Sequence, residues 1–195
     1  MFLLSLLIIP FIAAIALLLV KNEQTGRLFS LGSMVLTLLV ALHIIFRTYD
    51  DIDLHWLTIL NSRFILKADG VAKLLILLTA ISFPIIYIAT AHNEIKNKHQ
   101  FNALMLLTQV GLFGVFLSGD ALQFYFFWEL ALIPVYFLCS IWGGEKRIAI
   151  TFKFFIYTFI GSLLMLIGIM LMYFKTADQS FLISSFKQAN ITSTE

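Results

Sequence analysis

Two charged side chains stand in apolar surroundings where charge is expensive, and any chemistry in this chain is expected to start from them. Glu129 lies nine residues past Asp120 in an otherwise apolar run. At about 1.5 Å of rise per residue it sits roughly 13 Å along a helix that begins there. Half the hydrocarbon of a bilayer is about 15 Å thick, so Glu129 falls near the midplane, beyond the reach of its short side chain to either surface. A central acidic residue costs roughly 2.5–3.5 kcal/mol on insertion scales. It must be a neutral acid, pair with a cation, or face internal water. Desolvation favours the neutral acid and a nearby lysine favours the carboxylate. A carboxyl balanced between the two takes up and releases a proton near neutral pH, as a proton carrier requires. The purely structural alternative is a glutamic acid held neutral by one interhelical hydrogen bond. Lys153 is the second such residue, about a turn inside the following apolar run, shallow enough to snorkel to the surface. It lies in the same half of the bilayer as Glu129. Their depths differ by roughly 10 Å, too much for a direct ion pair but a gap that the lysine side chain and a few waters span.

Other residues add weaker signals. Pro134 cannot donate to the carbonyl of Leu130, one position after Glu129, so the helix ladder loosens there. The freed carbonyl either holds a water beside the carboxyl or marks a simple kink. Thr108 and Gln109 suit a hydrated path, or equally one interhelical hydrogen bond. Lys73, at the start of its apolar run, reads as snorkelling to the nearer interface. Gly114 with Ser118, and Gly161 with Ser162 and Gly168, read as small-residue surfaces for close helix packing. His43 reads as a packed side chain, and the single cysteine, Cys139, as a small buried hydrophobe. His43, His55, His92 and His99 lack metal-ligand spacing, so no metal site is expected. No nucleophile–base pair, phosphate-cradling loop or redox-cofactor ligand set is visible, so no cofactor is expected on this chain.

These residues are positioned by membrane-spanning helices. Of 195 residues, 61% are apolar and 12% charged, against about 45–50% and 25% in ordinary globular chains. The excess falls into six runs, 2–20, 28–46, 71–91, 101–118, 121–141 and 149–174, each near the roughly 20 residues that cross a bilayer. The expected fold class is therefore an all-α integral membrane protein of about six transmembrane helices, a bundle over residues 1–175. The first run lacks a basic flank before it and a small-residue cleavage signal, so it reads as a retained helix and not a signal peptide. Asp120 followed by Gln123 fits a capping arrangement opening the fifth helix, after the tight turn Ser118-Gly119-Asp120.

Placing the N-terminus outside puts Lys21, Arg27, Lys96, Lys98, Lys146 and Arg147 inside, against Arg47, Arg63, Lys67, Lys175 and Lys187 outside. This asymmetry gives an expected N-out, C-out orientation. In the outer connection 47–69, Ile52, Leu54, Trp56, Thr58 and Leu60 alternate with period two, and Asn61-Ser62-Arg63 can turn the chain into Phe64–Lys67. That connection is either a short outer hairpin or an irregular loop with Trp56 at the interface. The segment 176–195 reads as a polar tail with one weak apolar patch at Phe181–Ile183, and its end as a truncation point. A net charge of +2 leaves no nucleic-acid footprint.

The residues Trp128-Glu129-Leu130-Ala131-Leu132-Ile133-Pro134-Val135-Tyr136, then Trp142-Gly143-Gly144, then Lys153-Phe154-Phe155-Ile156-Tyr157-Thr158 with Gly161-Ser162, resemble the antiporter-like membrane subunits of NADH-quinone oxidoreductase, respiratory complex I. The stretch Leu132-Ile133-Pro134-Val135-Tyr136 is similar to the subunit M (chain 4) branch, and Asp69-Gly70 opening the third helix fits the same pattern. The resemblance is specific from about residue 119 to 170. It implies a cofactor-free membrane-arm subunit, in a bacterial cytoplasmic membrane rather than an organellar inner membrane, that moves protons when redox chemistry in other subunits drives it. Its implied partners are other membrane-arm subunits and the lipid bilayer. Glu129 matches the family's helix-five carboxylate and Lys153 its helix-six lysine. Members of the family have about fourteen helices, including a lysine on a broken seventh helix, and this sequence reaches six. The expectation is an N-terminal portion, a split subunit or a decayed one. Two other readings carry the same helices: a subunit of a multisubunit cation/proton antiporter or membrane-bound hydrogenase, and a structural piece that helps assemble the complex without conducting protons.

Overall fold

A computed structural model describes residues 2–19, 23–47, 49–91 and 95–187, with Glu23 and Gln24 described by their backbone alone. Lys21, His92 and the end of the tail, residues 188–195, lie outside the described residues. Among the described residues, six helices are long and apolar enough to cross a membrane: α1 Phe2–Leu19, α2 Glu23–Phe46, α3 Gly70–Thr90, α4 Lys98–Leu117, α5 Ala121–Trp142 and α6 Arg147–Lys175. In hydrocarbon every backbone donor needs an acceptor in its own segment, so continuous apolar runs of this length become helices. Two helices, α2 and α4, begin three or more residues before their apolar runs. α2 starts at Glu23, taking in Arg27, and α4 starts at Lys98. In both, the polar first turn continues the helix past the hydrophobic boundary. Lys98 is itself buried and donates to the carbonyl of Ala91 at 2.5 Å, stitching the α3–α4 connection.

α4 is the central helix. It packs against α1, α3 and α5, with a smaller contact to α2, while α6 packs on α5 at the periphery. Two apolar clusters fill the α1–α4 bundle. One gathers Leu6, Ile44, Ile76, Phe113 and Leu117 near the end where α3 starts. The other gathers Ala14, Leu17, Met34, Tyr87 and Leu106 toward the opposite end. Close approach of α4 and α5 is set by glycine. A Cβ on Gly111 would lie 2.6 Å from that of Ala131, and one on Gly114 would lie 2.1 Å from the Phe127 ring.

The connection between α2 and α3 is a hairpin. β1 (Ile52–Leu57) pairs antiparallel with β2 (Ser62–Leu66), registering Ile52 with Leu66 and Leu54 with Phe64. The alternation does not run on to Leu60, because Thr58–Leu60 forms a 3-10 turn closed by Asn61 at φ 49°. Asn61 tolerates that left-handed backbone better than a branched residue would. β2 then continues the ladder onto the α4–α5 turn: Lys67 N–H donates to Leu117 O at 2.8 Å and Gly119 N–H to Ile65 O at 2.9 Å.

The segment after α6 folds back to the same place. Ala121 N–H donates to Phe181 O at 2.8 Å and Ile183 N–H to Gly119 O at 3.2 Å. Phe181 is buried and stacks on Tyr173 at 4.5 Å. A single helical turn, α7 (Ile183–Phe186), follows. The apolar patch inside an otherwise polar tail is thus its anchor.

Candidate functional site

The site is built on one seam, the contact between α5 and α6. Ala131 and Phe127 touch the glycines of α4, and Pro134 is buried on the same stripe of α5. Glu129 is two residues from both Phe127 and Ala131, so it points about 200° away from α4. Tyr125 precedes Glu129 by four residues and shares its face. Tyr136 follows seven residues later and packs edge-on against Phe155 of α6 at 5.2 Å. The Tyr125 phenol lies near both the Glu129 carboxyl and the Ser162 hydroxyl of α6, and is hydrogen-bonded to neither. Ser162 is buried and donates to the carbonyl of Phe159 at 2.9 Å. A row of polar groups, Ser162–Tyr125–Glu129, therefore lies between the two helices, bordered by aromatic rings.

Glu129 is half-buried, and its Oε1 is buried without a hydrogen-bond partner. An oxygen in that state needs a proton donor, because an unpaired buried acceptor costs about 1–3 kcal/mol. A phenol, a hydroxyl and a carboxyl in sequence can pass a proton: each group both donates and accepts, provided the carboxyl cycles between its two forms.

Lys153 is not brought to this seam. Thr151, Phe155 and Ser162 mark the face of α6 turned toward α5. Lys153, two residues from Thr151 and from Phe155, is exposed on the opposite side, and it forms no ion pair among the described residues. Depth alone had put the two residues in the same half of the bilayer; helix phase separates them.

The remaining sequence signals divide similarly. Thr108 donates to Leu104 O at 2.9 Å within its own helix, and Gln109 is fully buried with neither amide atom hydrogen-bonded. Neither makes the interhelical bond allowed for it. Gly161 and Gly168 meet nothing that a Cβ would touch, so they do not form a close-packing surface. Cys139 is exposed and not buried, since a helix apolar all round gives no clue to which face is covered. His43 lies on the helix exterior with Phe2 and Tyr49 rings at 5.1 and 6.0 Å. Lys73 donates to Arg47 O at 2.8 Å, at the hairpin end.

Asp120 proves more than a cap. It is fully buried. Its Oδ1 accepts from Leu122 N–H, Gln123 N–H and the Ser62 hydroxyl at 2.9, 3.1 and 3.0 Å, and its Oδ2 accepts from Arg63 N–H at 3.1 Å. Gln123 does not reach back to the cap; its Oε1 accepts from Ile65 N–H at 2.8 Å. Of the site residues, Tyr125 was findable by its four-residue spacing from Glu129. Ser162 was not, because it depends on the α5–α6 register.

Residues 118–193 match the family model described as NADH:quinone oxidoreductase/Mrp antiporter, transmembrane. The F(420)H(2) dehydrogenase subunit M of Methanosarcina mazei is 35% identical over 184 residues, covering 90% of this chain and 37% of that protein. The chloroplastic NAD(P)H-quinone oxidoreductase chain 4 of Angiopteris evecta is 36% identical, over 84% of this chain and 35% of its own length. Among solved structures, a chain of respiratory complex I from Thermus thermophilus superposes with a TM-score of 0.85 at 25% identity, covering 98% of this chain and 40% of that one. The chain therefore spans a little over a third of the relatives it matches. Over that span it belongs to the antiporter-like membrane-subunit family that includes subunit M and chain 4 of the quinone oxidoreductases.

Proposed function

We propose that this chain forms part of a proton-translocating membrane-arm subunit of an NADH:quinone oxidoreductase-type complex, with Glu129 as the group that takes up and releases the proton. Redox chemistry in other subunits drives it, and this chain contributes no redox group. The observation that carries the reading is the buried, unpartnered Oε1 of Glu129 on a face shared with Tyr125 and turned toward Ser162. Protonation supplies that oxygen with a hydrogen to donate, and deprotonation leaves the phenol as the nearest donor. Lys153 acts as a second proton-handling group from the far side of α6, so it communicates with Glu129 through groups outside the α5–α6 seam.

The test is Glu129→Gln in the native complex, with proton pumping and electron transfer measured separately in vesicles. Pumping falls at least about tenfold while the complex assembles, and Glu129→Asp restores part of it. Unchanged pumping in an assembled complex would sink the assignment. The description of the matched family also names the Mrp antiporter, which supports a cation/proton antiporter subunit as the second reading. Proton movement that needs Na⁺ and ignores the electron donor would favour that reading.

A further inference from the structure

We propose that Gln109 holds a buried water at the middle of the α1–α4 bundle, at a site separate from the Glu129 seam. Gln109 is fully buried, and both its Nε2 and Oε1 lack hydrogen-bond partners. Two donors and an acceptor left dry would be a heavy penalty for one side chain. The position is specific. On α4, Gln109 falls between Leu106 of one apolar cluster and Val110 of the other. On α1, Pro10 falls between Leu7 and Ala13, which divide the same way; on α2, Thr37 falls between Met34 and Ala41. On α3, Pro84 falls between Ala80 and Tyr87. The level that separates the two apolar clusters is thus marked on every helix by a proline, a threonine or the glutamine.

Each of these residues leaves something unbonded. Pro10 removes the ordinary helical donor to the carbonyl of Leu6, and Pro84 removes that to Ala80, and both Leu6 and Ala80 are fully buried. The fully buried Thr37 hydroxyl already donates to Ser33 O at 2.6 Å. That hydroxyl is therefore left with accepting capacity only. Among the described residues, this layer offers acceptors at Leu6 O, Ala80 O and the Thr37 hydroxyl, and the unpaired Gln109 amide reaches none of them directly. Water suits this imbalance, because it accepts from the amide and donates two hydrogens to the spare acceptors; internal waters typically make about three such bonds. The spans of α1 and α2 carry no acidic or basic residue at this level, and those of α3 and α4 carry theirs at Lys73 and Lys98, near the helix ends. The site is neutral, so it retains water and does not itself ionise.

The test is radiolytic hydroxyl-radical labelling of the native membrane complex in ¹⁸O-water, read by mass spectrometry at Met34, Phe83, Leu106 and Phe113, all shielded from bulk solvent. A bound water labels these neighbours, and Gln109→Leu lowers the labelling by about fivefold or more. The same variant leaves the thermal midpoint unchanged, whereas removing a dry amide would raise it. Gln109→Met, which keeps the side-chain length, serves the same reading if the leucine variant does not assemble. No labelling in the wild type, or equal labelling in the variant, overturns the proposal. So does a raised midpoint in either variant.

Discussion

The α1–α4 bundle and the α5–α6 pair are built from equally apolar sequence, yet they use it in opposite ways. In the most apolar 18-residue stretch of α4, 61% of the residues are buried, whereas in that of α6 only 11% are. The bundle closes on itself: its buried hydroxyls are satisfied within their own helices, as with Ser30 to Gly26 O at 2.8 Å and Thr37 to Ser33 O at 2.6 Å. The pair leaves most of its surface open and holds both intramembrane charges discussed above, Glu129 half-covered in the seam and Lys153 on the open side. Exposed apolar surface is ordinary for a helix facing lipid. An exposed lysine among Phe152, Phe154 and Ile156 is not, and it carries a cost there unless it snorkels to the surface or pairs outside the six helices.

The two regions are fastened together at both ends. At one end Asp120 binds the start of α5 to β2 through four hydrogen bonds. At the other, the Trp142 indole donates to Lys96 O at 2.8 Å and its ring meets Phe101 at 5.4 Å. Removing the first fastening has the largest expected effect on stability. Asp120→Ala loses the helix cap and leaves the Ser62 hydroxyl and Arg63 N–H without their acceptor. The sum is about 3–5 kcal/mol, read as a lower unfolding midpoint in detergent and as new protease cleavage in 57–67. Asp120→Asn keeps one accepting oxygen and loses less. If the alanine variant matches the wild type, the regions are held by helix packing alone.

A glycine pair tests the packing side of the same comparison. Gly114→Ala drives a methyl into Phe127, where the unrelaxed distance is 2.1 Å, and overpacking of this kind costs about 1–3 kcal/mol. Gly161→Ala meets nothing within 4 Å and is neutral, or stabilising by up to about 1 kcal/mol through helix propensity. Equal effects at the two positions would mean that α6 is as enclosed as α4 in the assembled protein.

What could be read from the sequence follows the physics of each signal. The spans were legible because run length is a direct measure of bilayer crossing, and the start of α5 because Asp120 is a good helix cap. The hairpin was legible in its alternation and its Asn61 turn, but its end at Leu57 was not, since Thr58–Leu60 carry no breaker. Facing was the weak point. With apolar residues on every side of α5 and α6, no moment distinguishes a covered face from an open one. Cys139, Gly161 and Lys153 were therefore placed in depth but not in azimuth. Asp120 shows the second gap: its cap to Leu122 and Gln123 is local and readable, whereas its bonds to Ser62 and Arg63 join positions 57–58 residues apart.

Lys153 gives the smallest expected change in stability and the sharpest reading of the open face. Its side chain is exposed and has no acidic partner among the described residues, so Lys153→Met removes a charge that no described carboxylate balances. The expected shift in unfolding free energy is within about 0.5 kcal/mol, measured in the native complex, and it accompanies a loss of proton movement with electron transfer retained. A destabilisation of about 3–5 kcal/mol would mean something different: the lysine is buried against a carboxylate that its removal strands. In that case α6 would be an interior helix of the assembly, and the contrast between a closed bundle and an open pair would hold only for the six helices described here. Stability and transport together therefore distinguish a snorkelling lysine from one paired across an interface, which neither measurement does alone.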